Sequence, residues 1–85
     1  MSRERLSRFL YSRALTYFLA VAESLSIRGA ARQLNIASSA VNRQILLLEE
    51  VVGMPLFVRQ GRSLRLSPAG DVLAGHARKT GRPSR

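Results

Sequence analysis

The chain contains no cysteine and only one histidine among its 85 residues. Without thiols there is no disulfide to staple a secreted scaffold and no thiolate to hold a metal, so a reducing, cytoplasmic setting fits. His76 stands alone, with neither a second imidazole nor a thiol to complete a metal cluster or a Cys/His pair. Acidic groups are scarce as well: five Asp and Glu face fourteen Lys and Arg. Two of the five, Glu49 and Glu50, are adjacent, and on a helix they point about 100° apart rather than towards one substrate. The glycines follow no phosphate-loop spacing. No catalytic residue, metal or cofactor is expected from such a set.

Long apolar runs are also missing, and nothing approaches the ~20 residues that span a bilayer. One stretch has the outline of a secretory leader. Arg3, Arg5, Arg8 and Arg13 precede a largely apolar run from 14 to 22, and Ala20-Val21-Ala22 has the small-x-small form of a cleavage site. The run is short, carries Thr16 and Tyr17, and spaces its large residues at helical intervals. It reads as a domain helix.

What is present is positive charge on a globular chain. Hydrophobic residues make up 46%, too many for a disordered polymer, and the formal net charge is +9. Thirteen of the fourteen cations are Arg, whose planar fork pairs two-pronged with phosphate or guanine. Such an excess favours a polyanionic partner, with nucleic acid and anionic membrane both open on composition alone.

Residues 1–12 are charged and patternless, and are expected to form a loose basic arm or a frayed extra turn. A helical period then takes over. Leu15, Phe18, Leu19, Ala22 and Leu25 fall at three- and four-residue steps and give a first helix one apolar stripe. Ser26 can cap a second helix, whose inward stripe is Ile27, Ala30, Ala31 and Leu34. The two alanines let another helix approach closely. Asn35 tolerates the left-handed backbone that a tight exit needs. Ser38 and Ser39 can start a third helix, with Val41, Ile45, Leu48 and Val52 inward and Gly53 closing it. Two short helices joined by a three- or four-residue turn are the shape of a helix-turn-helix.

Pro55 ends the helical pattern. Residues 56–59 and 63–66 are strand-like runs flanking Gln60-Gly61-Arg62, a hairpin with glycine at its tip and arginine on both arms: a wing. Ser67-Pro68 is a cap followed by proline at the first helical position. A fourth helix should run to about Lys79 and stop before Gly81 and Pro83. The expected organisation is an arm over 1–12, a mainly α winged helix-turn-helix over 13–66 (three-helix core plus two-stranded wing), a short linker helix over 67–80 and a disordered tail over 81–85.

On the third helix, Ser39, Asn42 and Arg43 fall outward near the N-terminal end. Short polar groups there let a backbone approach base edges, and one long Arg can reach a guanine. In isolation Arg43 would be an ordinary solvated residue; its place on a basic helix-turn-helix reverses that reading. Arg59, Arg62 and Arg65 could merely blunt a strand edge. On a glycine-tipped hairpin they also suit a minor groove or the phosphates beside it, with Arg62 best placed to reach in.

In order and spacing, Tyr17-Phe18-Leu19-Ala20-Val21-Ala22-Glu23, Ser26-Ile27-Arg28-Gly29-Ala30-Ala31-Arg32-Gln33-Leu34, Arg43-Gln44-Ile45, Leu48-Glu49-Glu50, Gly53-Met54-Pro55-Leu56-Phe57 with Arg59, and Leu66-Ser67-Pro68-Ala69-Gly70 resemble the N-terminal DNA-binding domain of the LysR-type bacterial transcriptional regulators. The resemblance covers about residues 15–78. It implies double-stranded DNA as partner, with Ser38, Ser39, Asn42 and Arg43 at bases or phosphates and Arg62 in the adjacent minor groove. Arg28, Arg59 and Arg65 complete the nominated DNA-binding set. It also implies that the fourth helix pairs two protomers over a dyad-symmetric site, through Val72, Leu73, His76 and Ala77. That helix is short and thinly apolar, so a weak homodimer is expected. The family's effector-binding domain is absent from these residues, so no small-molecule ligand is expected here, and no membrane.

The chain departs from the family pattern in three places. The recognition helix usually starts with a Ser or Thr cap followed by Gln-Pro, where this chain has Ala37, Ser38 and Ser39; Ser38 can take over the cap. Position 42, commonly Ser, is Asn, which can contact adenine through two bonds. Leu46 and Leu47 stand where polar or basic residues are usual; thymine methyls or a partner could meet them, and simple tolerance is the favoured reading. The competing function is a protein-interaction module that pairs with a full-length regulator through its fourth helix. A membrane-surface peptide ranks below both, because the cations sit on arm, wing and tail rather than along one amphipathic face.

Overall fold

A computed structural model describes residues 3–80, with side chains from 13 to 77. The expected disordered tail over 81–85 lies outside the described residues. Four helices and a two-stranded sheet follow one another: α1 Arg3–Ser24, α2 Ile27–Leu34, α3 Ser38–Val52, β1 Phe57–Gln60, β2 Ser63–Leu66 and α4 Pro68–Thr80. This is the mainly α winged helix-turn-helix that the sequence predicts.

Over the described part of 1–12, expected as a loose basic arm or a frayed extra turn, the chain is helical. The first helix starts at Arg3 and runs 22 residues without a break. The segment holds no Pro or Gly and is rich in Arg and Leu, which are good helix formers. Once the 13–24 portion is fixed by packing, extending it costs no new nucleation. At the other end, Leu25 does not continue the apolar stripe. It adopts a left-handed φ of 54, ends the helix, and is exposed.

Ser26 then caps α2 as expected, its side-chain oxygen accepting the Gly29 N–H at 2.9 Å. Asn35 takes the left-handed conformation, φ 59 and ψ 48, and the Ile36 N–H returns to the Ala31 carbonyl at 3.0 Å. These bonds satisfy carbonyls that the helix end would otherwise leave unpaired. The third helix departs from expectation in its cap. Ala37 holds the extended N-cap position, with no side-chain hydrogen bond, and Ser38 is already helical. A residue inside the first turn has no extended backbone from which to aim its hydroxyl back at the N2 or N3 amide, so Ser38 does not take over the cap.

The core gathers one stripe from each helix. Phe18 and Val21 of α1, Ala30 and Ala31 of α2, Val41, Ile45 and Leu48 of α3, Ala74 of α4, and Leu56 just before β1 are buried together. Ala30 and Ala31 put little more than backbone at the crossing, which lets α2 lie close to both α1 and α3. Val52 is exposed rather than inward: it is the last residue of α3, beyond the reach of the other helices.

The wing is an antiparallel pair with Phe57 opposite Leu66 and Gln60 opposite Ser63. That leaves Gly61-Arg62 as a two-residue loop, and the positive φ of 61 falls on Gly61, as a type II′ turn requires of its first central residue. Three contacts root the wing in the helices. The Phe57 ring lies 5.3 Å from that of Phe18, tilted at 48°. The Leu64 N–H donates to the Leu25 carbonyl at 3.2 Å. The Leu56 N–H donates to the Glu49 carboxylate at 2.7 Å.

Ser67 joins wing to α4. Its hydroxyl donates to the Pro55 carbonyl at 2.7 Å and accepts the Gly70 N–H at 3.0 Å, while its own N–H goes to the Leu56 carbonyl. A buried serine this fully bonded is a structural hinge pin, and it is the cap that the Ser67-Pro68 pair predicts. Pro68 opens a 13-residue helix, about 20 Å long at 1.5 Å per residue.

Candidate nucleic-acid interface

The apolar side of α3 is consumed by the core, so its opposite side defines what the domain offers. Val41, Ile45 and Leu48 are buried. Ser39, Asn42 and Arg43 are exposed and Ser38 half-buried. At about 100° per residue, Ser39, Asn42 and Arg43 occupy one outward face within the first turn and a half. Here the polar groups expected to meet DNA do share a surface.

Beside that face, the turn between α2 and α3 borders an open groove lined by Arg28, Arg32, Asn35, Ala37 and Ser38. Arg28 and Arg32 are four residues apart on α2 and both exposed, so they project from the same side of the helix. Arg32 is absent from the sequence-based set, although its i, i+4 relation to Arg28 was a signal for it. Ala37 supplies no capping side-chain oxygen at the start of α3, the end that carries the positive pole of the helix dipole.

The wing divides its cations. Arg59 is opposite Leu64 and Arg65 opposite Val58. Side chains alternate along a strand, so Arg59 and Arg65 lie on opposite faces of the ribbon, both exposed. Arg62 sits in the tip loop beside Gly61. The three arginines therefore do not form one patch; they surround the tip.

The residues expected at the dimer seam separate in the same way. Val72 is 74% exposed, whereas Ala77 is 6% exposed. Leu73 is partly buried against the core, and His76 is exposed. Ala77 and Leu73 turn inward because Gly70, Ala74 and Ala77 form the stripe on which α4 rests against the rest of the chain.

The Glu49 carboxylate near the wing has a structural role. Glu49 accepts from Leu56, a role that its adjacency to Glu50 did not reveal. Among the described residues no group of three His, Asp or Glu side chains could hold a metal. No described helix is long and apolar enough to cross a membrane.

Three helices, a turn held by a left-handed asparagine, an outward helix face carrying Arg43 and an arginine-tipped hairpin define a winged helix-turn-helix DNA-binding domain. The chain belongs to the bacterial regulatory helix-turn-helix proteins of the lysR family, whose profile matches residues 12–71. It is 52% identical over 60 residues to the probable cat1 operon transcriptional activator of Acinetobacter lwoffii, covering 71% of this chain and 20% of that protein. The HTH-type transcriptional regulator CbbR of Rhodospirillum rubrum is 46% identical over 66 residues, covering 78% of this chain and 22% of that protein. The chain thus spans about a fifth of the length of these curated relatives. Among solved structures, the BenM DNA-binding domain in complex with catB site 1 DNA superimposes with a TM-score of 0.76 at 40% identity, covering 80% of this chain and 76% of that one.

Proposed function

We propose that this domain binds double-stranded DNA by sequence, placing α3 in a major groove and the wing at the adjacent minor groove. The carrying observation is the outward face of α3, where Ser39, Asn42 and Arg43 stand together while the opposite face is sealed into the core. Asn42 is suited to the paired donor and acceptor of adenine, and Arg43 to the two acceptors of guanine. The small side chains of Ser38 and Ser39 let the backbone come close, and Arg28 and Arg32 hold phosphates across the turn.

The split of the wing arginines suits a minor groove, which has a phosphate strand on either side. Arg62 enters at the tip, and Arg59 and Arg65, facing opposite ways, each address one strand. DNA complexes of a similar domain support this reading. Two copies on a dyad-symmetric site would pair through the outward side of α4. That helix is short and thinly apolar, with Val72 and His76 exposed among its described residues, so the free chain should be a weak dimer at most, and two half-sites on one duplex should drive pairing through effective concentration. A chromosomal DNA partner implies work in the cytoplasm.

Arg43 provides the test. Arg43→Ala should cost ~1–3 kcal/mol on the preferred site and much less on random duplex. Anisotropy titrations of both duplexes at one salt concentration separate the two. Equal losses on both would reduce Arg43 to a phosphate contact.

A further inference from the structure

The outward face of α3 does not end at Arg43. Leu46 is 55% exposed, three residues beyond Arg43 and four beyond Asn42, and lies directly below both on the helix surface. Ser39, Asn42, Arg43 and Leu46 fall at i, i+3, i+4 and i+7. A helix lying in a major groove reaches base edges over two turns with this spacing. Leu47 and Val51 are also exposed, but helical geometry turns them to the flank of that face, away from Asn42. Leu46 is therefore the apolar member of the polar row, and simple tolerance does not explain why it stands there.

We propose that Leu46 is a specificity-determining residue that reads the 5-methyl group of thymine. In the major groove that methyl is the one apolar feature of a base pair's edge, and an aliphatic side chain is its natural complement. A base pair without a 5-methyl meets the leucine with polar groups that it cannot satisfy, so the contact discriminates as well as attracts. Its register follows from the helix: a residue one turn further on than Arg43 meets a base pair adjacent to the one that Arg43 reads. The inference rests on the docking of α3 in the major groove proposed above.

The experiment replaces each thymine of the selected site, one at a time, by deoxyuridine, which deletes the methyl and leaves the hydrogen-bonding edge unchanged. The parent chain and Leu46→Ala are titrated against each duplex. Leu46 is exposed and alanine is a strong helix former, so the variant should fold. Losing one buried methyl is worth about fourfold in affinity. The parent should lose about that much at one or two thymines beside the Arg43 contact, and Leu46→Ala should be indifferent at those same positions. A parent insensitive to every substitution, or a loss that persists undiminished in Leu46→Ala, would overturn the proposal. If either occurred while Arg43→Ala still lost the selected site, the groove docking would stand and only the role of Leu46 would fall. A parent that selects no site at all would overturn both.

Discussion

Replacing Phe18 by alanine should lower the melting temperature by roughly 12 °C or more, the largest effect expected of any single truncation in this chain. Phe18 is fully buried and its ring is the piece of core that both the helices and the wing share, through Phe57. Truncating a buried Phe to Ala costs about 3–5 kcal/mol, because the transfer energy and the cavity add. A domain of 85 residues has roughly 4–13 kcal/mol of stability in all. The variant is therefore marginal, and helical circular dichroism should show a substantial unfolded population well below the parent's transition. Phe18→Leu, which keeps much of the volume, should retain more of the stability. A drop under about 4 °C for Phe18→Ala would mean that the wing is not anchored through this ring.

Gly70→Ala is the second large effect, and here two opposing terms must be weighed. In a helix, Ala is better than Gly by up to ~1 kcal/mol. At this position, however, a β-carbon would run into the carbonyl oxygen of Leu56 and lie 2.9 Å from Leu66 Cδ2. The carbonyl belongs to backbone and is bonded to the Ser67 N–H, so it cannot retreat without breaking the join between wing and α4. Overpacking of this kind costs about 1–3 kcal/mol and sometimes more. The clash wins, and a fall of roughly 8 °C or more is expected. Gly75 is the internal control: a β-carbon there meets nothing within 4 Å, so Gly75→Ala should raise the melting temperature by a few degrees. The same substitution in the same helix should thus have opposite signs. Two variants of equal sign would contradict the close approach at Gly70.

Much of this architecture is legible in the sequence because local signals and core periodicity agree. Ser26, Asn35, Gly61 and Ser67-Pro68 each name a backbone conformation that the structure adopts, and Val41, Ile45 and Leu48 of the expected α3 stripe face the core, although Val52 does not. What was not legible depends on contacts distant in sequence. Nothing local says that the Glu49 carboxylate is taken by the Leu56 amide, or that Gly70 is required by a carbonyl fourteen residues earlier rather than being merely a weak helix former. The orientation of α4 is another case. Its apolar residues announce a buried face, but whether Ala77 meets a partner or its own chain depends on where α1 and the wing stand. The division of Arg59 from Arg65 needed only the hairpin register, which the glycine tip came close to fixing. At the start of α3, Ala37 holds the N-cap although its neighbour Ser38 carries the better-suited side chain.

The central claim is that a single outward helix face reads DNA sequence, and selection of bound duplexes from a random pool tests it most directly. The account predicts an enriched motif made of two half-sites related by a dyad and one helical turn or a multiple apart. Adenine, guanine and thymine should be preferred at adjoining positions, and affinity should fall steeply as salt rises. Binding that enriches no motif, with equal affinity for every duplex at each salt concentration, would contradict it.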